Sequence, residues 1–163
     1  MKSRCSRRLR EDEVEFLTEQ PIDVAALMAA VQAPARGGIA VFVGAVRNHQ
    51  AGRDVLRLHY SAYRPMAEAE CARIMTEAQT KWDVAVAVAH RVGRLEVGDT
   101  AVAVVAASAH REEAFAACRY LIEQIKRRVP IWKQEFYADG SVSWVDPSTG
   151  AEHTEAGPRL QHA

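Results

Sequence analysis

The chain has 163 residues, a length that suits one domain. It is 48% hydrophobic and 26% charged, and its 21 basic and 21 acidic residues give a formal net charge of +0. That composition supports a real core and removes any global electrostatic case for binding nucleic acid or an anionic membrane. Any anion site has to come from a local cluster.

Three cysteines, Cys5, Cys71 and Cys118, are too few, and too widely spaced, for a disulfide framework or a zinc ribbon. Cys71 and Cys118 fall on apolar faces of predicted helices and read as buried thiols. No apolar run approaches the roughly 18 residues of a membrane span. The start "MKSRCSRRLREDE" is basic but lacks an apolar signal core, so a cytoplasmic location is the expectation.

In chain order, residues 1–12 read as a mobile leader. "VEFLT" is a short strand, and "IDVAALMAAVQA" a helix with Asp23 near its start, ended by "PARGG". "IAVFVGAVR", 39–47, is an apolar strand whose Gly44 suggests a bulge or a close backbone approach. "NHQAGRD" is a loop or hairpin turn, and "VLRLHYSAY" the next strand. From Pro65 to Trp82, apolar residues recur at three- and four-residue steps, which predicts a helix. "VAVAVAHRVG" and "TAVAVVAASA" are buried strands on either side of an "EVGD" turn. A second long helix spans about Glu112 to Val129, with Phe115, Cys118, Ile122, Ile125 and Val129 as its apolar stripe, and Pro130 stops it. "WKQEFYA" and "SVSWV" flank a "DG" hairpin signal. The tail 146–163 reads as irregular, which leaves 13–145 as one domain. Strand pairs between long helices point to an α+β fold with a largely antiparallel sheet.

Motifs for phosphate loops, dinucleotide binding and serine nucleophiles are absent. The six histidines do not pair at metal-ligand spacings, so neither a metal nor a cofactor is expected. What remains is a set of basic residues at element ends. Arg47 closes the first core strand. His110 and Arg111 stand where a buried strand meets a helix start, whose free N–H groups favour anions. The same triplet "AHR" recurs at 89–91, where a structural or turn role is expected.

Lys126 falls roughly 20° around the helix from Phe115, at about 100° per residue. This places it at the border of the stripe, partly shielded, with its amine at a pocket rim. Arg127 and Arg128 turn away and complement the helix dipole. Ile131 and Trp132 form an apolar plug beside Lys133. His110 and Lys126 lie at opposite ends of one helix, roughly 24 Å apart at about 1.5 Å per residue. If both serve one small ligand, the His110–Arg111 pair comes from a second copy of the chain, so a homodimer with composite sites is expected.

The segments "FVGAVRNHQAG", "YRPMAEAE", "HRVGRLEVGD", "SAHREEAFAAC" and "IKRRVPIWKQE", in this order and spacing, resemble the large catalytic subunit family of molybdopterin synthase. The resemblance covers roughly residues 37 to 145. It implies an α/β hammerhead form of the α+β fold. It also implies a sulfurtransferase of molybdenum cofactor biosynthesis. Sulfur would arrive as a thiocarboxylate on the C-terminal Gly-Gly of a small ubiquitin-like subunit and pass to cyclic pyranopterin monophosphate, forming the dithiolene. The implied assembly is a heterotetramer around a large-subunit homodimer. Carried over by position, Ala45, Val46, Arg47, His110, Arg111, Lys126, Lys133, Gln134 and Glu135 are substrate-binding, with Lys126 first and Lys133 second as catalytic groups. The chain departs from the family at "YSAY", where Ser61 replaces a common acidic residue. Two other readings stay open: a non-catalytic module that binds a ubiquitin-like tail or a phosphorylated small molecule, and a Schiff-base enzyme using Lys126.

Overall fold

The computed structural model describes residues 14–146 and the backbone of 152–155. The leader 1–12 lies outside the described residues. Ten strands and three helices are present among the described residues: β1 Leu17–Thr18, α1 Val24–Val31, β2 Gly38–Ala45, β3 His49–Gln50, β4 Arg53–Ala62, α2 Arg64–Lys81, β5 Ala85–Arg91, β6 Gly93–Glu96, β7 Thr100–Ser108, α3 Arg111–Arg128, β8 Ile131–Tyr137, β9 Val142–Val145 and β10 Glu152–Glu155. This is the expected α+β arrangement. Three short strands were not foreseen. β10 lies in the tail expected to be irregular and pairs antiparallel with β9, from Glu152 opposite Val145 to Glu155 opposite Val142. β3 makes the expected loop or hairpin turn a hairpin with β4, through Ala51 at φ 49° and Gly52 at φ 74°. β6 pairs with β4 after a break at Val92.

The strands form two sheets. A four-stranded sheet has the order β1-β5-β7-β2, and only its short β1 runs parallel to its neighbour. A second sheet has the order β10-β9-β8-β4-β3, with β6 beside β3 on the same edge of β4. Alternation in β5 and β7 decides how the first sheet is covered. Val86, Val88, Val102 and Val104 face α2 and α3, forming the main core with Cys71, Ile74, Leu121 and Ile125. Ala85, Ala87, Ala89, Ala103 and Ala107 face the other way, where the small side chains let α1 lie close through Leu27 and Val31. A third cluster, with Leu58, Leu95 and Tyr137, fills the second sheet. Cys71 and Cys118 are free and buried, as their helical phase predicts.

Local chemistry explains the helix ends. Asp23 caps α1, accepting from the Ala26 N–H at 3.0 Å. Pro65 occupies the first turn of α2, where its missing N–H costs nothing. α3 carries Glu112 and Glu113 in its first turn and Lys126, Arg127 and Arg128 in its last, matching the macrodipole.

Phe115 does not belong to the buried stripe of α3. It is 66% exposed, and the stripe runs instead through Ala114, Ala117, Cys118, Leu121, Ile122 and Ile125. Lys126 shares the angular position of Phe115 and is exposed with it, against the expectation of partial shielding.

Arg128 ties α3 to α2. Its guanidinium donates to Glu77 at 2.6 and 2.9 Å and to Glu70 at 2.7 Å, and Tyr120 donates its hydroxyl to Glu77 at 2.7 Å. The Arg128 bonds first, and then the Tyr120 bond, hold the Glu77 carboxyl down at about 2 from an ordinary 4.5. A carboxylate with a depressed folded-state pKa stabilises the fold above its unfolded value and loses that contribution as pH falls through the folded one. Glu77→Gln should therefore melt below wild type at neutral pH. In thermal scans the gap should start to narrow below about pH 5 and close near pH 2. A gap independent of pH would contradict this account of Glu77.

Candidate functional site

The chain leaves α3 at Val129, whose N–H still reaches the Ile125 carbonyl at 3.1 Å. Pro130 has no N–H to continue the helix, and Ile131 begins β8 at once. One tight junction thus carries the backbone from the helical layer of the first sheet into the second sheet. The antiparallel register then sets Lys133 opposite Tyr60 and Glu135 opposite Leu58. A cavity of about 370 Å³ opens at this junction. Its walls come from the end of β2, the β3–β4 hairpin, β5, the last turns of α3, and β8.

Of the residues singled out from sequence, Ala45, Val46, Arg47, Lys126, Lys133 and Glu135 all line this cavity. The register of β2 on β7 shifts between Gly44 and Ala45, a bulge that ends the strand at the cavity wall. A side chain at Gly44 would meet the Val102 Cγ1 at 2.8 Å, so glycine lets the two strands approach there. Val46 is buried and locked to the "EVGD" turn. Its N–H bonds the Asp99 carbonyl and its carbonyl accepts from Gly98, both at 2.9 Å. Arg47, exposed beyond it, donates to the Gln50 Oε1 at 2.9 Å.

Gln134, His110 and Arg111 are not on the wall. Strand alternation turns Gln134 to the opposite face from Lys133 and Glu135, in line with His59 and Trp144. His110 and Arg111 are exposed at the far end of α3, 18 helical residues away from the junction. Gly38 fits tightly beneath that helix start, since a Cβ there would lie 3.0 Å from the Arg111 nitrogen. Within one chain, then, the two lysines meet at the cavity and the His110–Arg111 pair does not join them. Ser61 pairs with Trp132 and also lies off the wall, so the missing carboxylate of the "YSAY" segment would not have reached the cavity in this chain.

The two lysines stand in different electrostatic settings. Lys133 is 23% exposed and its ammonium lies 2.7 Å from a Glu135 carboxylate oxygen that is itself 2% exposed. Tyr137 donates its hydroxyl to the other oxygen of Glu135. Glu135 is thus a buried anchor and not a surface partner. Lys126 pairs with no carboxylate among the described residues. The wall as a whole carries Arg47, Lys126 and Lys133 against Glu135 and Asp146, with one cation already spent on Glu135.

Two further wall residues, not singled out from the sequence as site residues, meet each other in the cavity. Tyr60 comes from β4 and His90 from the end of β5, and their rings meet edge to face, centroids 5.0 Å apart at 78°. This contact joins the two sheets at the cavity floor. Burial, and then the nearby Glu135 charge, push the Tyr60 phenol up to about 12, so it stays protonated. His90 is 8% exposed, and burial is the main cause that pulls its imidazole down to about 4, with the Lys126 charge adding to the effect. Its Nδ1 donates to the Arg91 carbonyl at 2.8 Å. The "AHR" triplet at 89–91 held the signal. Its arginine has the expected structural role, pairing with Asp99 at 3.1 Å, but its histidine faces the cavity. Among the described residues, no group of three or more His, Cys, Asp or Glu is placed to hold a metal ion, and no helix is long and apolar enough to cross a membrane.

Removing Glu135 leaves a half-buried ammonium and a buried phenol without their partner. Glu135→Ala should lower stability by about 3 kcal/mol in urea unfolding. A loss below about 1 kcal/mol would show instead a pair that contributes no more than a surface salt bridge.

Comparison with known proteins places the chain in a family. The family model described as "MoaE protein" matches residues 17–128. The chain is 50% identical over 130 residues to the molybdopterin synthase catalytic subunit 1 of Mycobacterium tuberculosis, covering 79% of this chain and 88% of that one. It is 41% identical over 147 residues to the molybdopterin synthase catalytic subunit of Halalkalibacterium halodurans, covering 89% and 94%. Its fold superposes on the crystal structure of molybdopterin synthase from Staphylococcus aureus with a TM-score of 0.76 at 37% identity, over 79% of this chain and 94% of that one. With a matched core and relatives of this similarity along most of its length, the chain belongs to the MoaE protein family.

Proposed function

We propose that the cavity at the α3–β8 junction is where this chain, as a molybdopterin synthase catalytic subunit, transfers sulfur in molybdenum cofactor biosynthesis. The observation that carries the reading is the convergence of Lys126 and Lys133 on one cavity from two different elements. The sulfur donor is the C-terminal thiocarboxylate of a small ubiquitin-like subunit, and the acceptor is cyclic pyranopterin monophosphate. Both are anions, and fixed cations suit both.

When sulfur leaves the acyl carbon, negative charge develops on the tetrahedral species. A positioned ammonium stabilises that charge and can supply or accept a proton. Lys126, free of any carboxylate among the described residues, is the group for this step. Lys133, held by Glu135, has a fixed position but much of its charge is already countered, which suits orientation of the ligand. Arg47 and the partner copy's His110–Arg111 pair bind the phosphate. Gln134, on the opposite face of β8, supports the strand and does not contact the ligand.

The composite site requires a second copy of the chain. β2 is the edge strand of its sheet and exposes Val41, Phe42 and Val43, and α3 exposes Phe115. Such an apolar edge beside the helix that begins with His110–Arg111 suits a homodimer contact. The working assembly is then a heterotetramer with a small subunit at each end, in the cytoplasm.

Reconstitution with thiocarboxylated small subunit and the pyranopterin precursor, with mass analysis of the product, tests the reading. Wild type should add two sulfur atoms. Lys126→Ala should fall by at least about 100-fold in turnover while keeping its thermal midpoint. Turnover near wild type in that variant would remove Lys126 from the mechanism. Binding of both ligands by wild type without product would make the chain a binding module.

A further inference from the structure

His90 is the only polar side chain in the buried stretch Ala85–His90 of β5, and it sits at the end that opens into the cavity. A carbonyl can only accept, so the 2.8 Å contact with the Arg91 oxygen places a proton on Nδ1. In the neutral ring the Nε2 then carries a lone pair. The Tyr60 ring packs nearly perpendicular to the imidazole and limits its rotation. The charge nearest in effect is that of Lys126, which is felt at the imidazole. Lys126 itself is exposed, has a long flexible stem, and finds no carboxylate among the described residues to hold it. Its neighbour in function, Lys133, has Glu135.

We propose that His90 is the positioning residue for Lys126: the two side chains line one cavity without a hydrogen bond between them in the single chain, and in the working complex the His90 Nε2 accepts from the Lys126 ammonium and holds that cation inside the cavity. A neutral acceptor is the physically apt choice. A carboxylate in this place would cancel the charge that an anionic ligand needs, as Glu135 does for Lys133. An imidazole fixes the ammonium while leaving its charge and two further N–H donors for the ligand. The groups that face His90 are consistent with this role: Tyr60 from β4, protonated and uncharged, and Lys126 from α3.

The proposal rests on the sulfur-transfer reading for its kinetic consequence, but its structural content can be tested apart from turnover. His90→Phe keeps a ring against Tyr60 and removes the acceptor. His90→Gln places an amide oxygen near the position of Nε2. In the reconstituted complex, His90→Phe should lower turnover by about 100-fold, the scale of a misplaced catalytic group. The apparent KM for the small subunit should change by less than about threefold, and His90→Gln should recover at least about tenfold of the loss. Equal losses in the two variants, or a loss confined to KM, would overturn the proposal. Nitrogen-15 spectra of the same complex supply the second measurement. The His90 ring should show a protonated Nδ1 and an Nε2 resonance that moves in Lys126→Met. An Nε2 resonance indifferent to that substitution would overturn the proposal even if turnover is normal. If wild type makes no product, the sulfur-transfer reading fails and the spectra still decide the role of His90.

Discussion

The tight connection at Val129–Ile131 is the constraint on which the rest depends. Ile125 and Val129 are buried in the main core from the helix side, and Ile131 is buried in the same core from the first position of β8. Both ends of the junction are therefore anchored by apolar packing, and the proline between them cannot extend the helix. A change of element within so few residues forces the end of α3 and the start of β8 to share one corner of the molecule. Lys126 from the helix and Lys133 and Glu135 from the strand therefore face the same cavity, while Arg127, Arg128 and Gln134 point elsewhere. Two lysines seven positions apart in sequence become neighbours because one closes a helix and the other opens a strand.

Within that corner, the two cations are made different by what lies beneath them. Glu135 alternates with Lys133 on the same face of β8, and Tyr137 continues the row, so a buried carboxylate with a phenol behind it holds one ammonium. The other ammonium comes from a helix, pairs with no carboxylate among the described residues, and shares its cavity with the uncharged side chains of Tyr60 and His90. Burial keeps both floor rings neutral near physiological pH. The cavity thus combines one cation countered by a buried carboxylate, two cations, Lys126 and Arg47, that pair with no carboxylate among the described residues, and a neutral floor. Such an arrangement suits an anion without a deep excess of charge that would hold it too tightly to turn over.

Much of this was legible in the chain. Period-two and period-three-to-four patterns located both long helices and all the long strands, because their apolar faces are wide and continuous. Pro130 and the helix-end lysine were visible as a stop signal and a rim residue. The error over Phe115 has a simple cause: a single aromatic drew the stripe one position off the alanine-rich face that is buried, and Lys126 was shielded on paper by the same shift. β3, β6 and β10 are two to four residues long and owe their existence to pairing with β4 and β9, which local propensity does not contain. His90 and Tyr60 were missed because their meeting depends on two sheets joining at a corner. Gln134 was included through a contiguous motif, although alternation along a strand assigns neighbours to opposite faces.

The position of His110 and Arg111 gives the site its strongest requirement. They stand at the opposite end of an 18-residue helix from Lys126, so a site that uses all three must be shared between two copies of the chain. Subunit mixing tests this most directly. Lys126→Ala and Arg111→Ala, each inactive alone, are dissociated, mixed in equal amounts and allowed to re-pair with excess small subunit. A shared site predicts recovery of about a quarter of the wild-type rate, the value for random pairing into two-fold dimers in which each mixed dimer keeps one intact site. A mixture no more active than its components would contradict it.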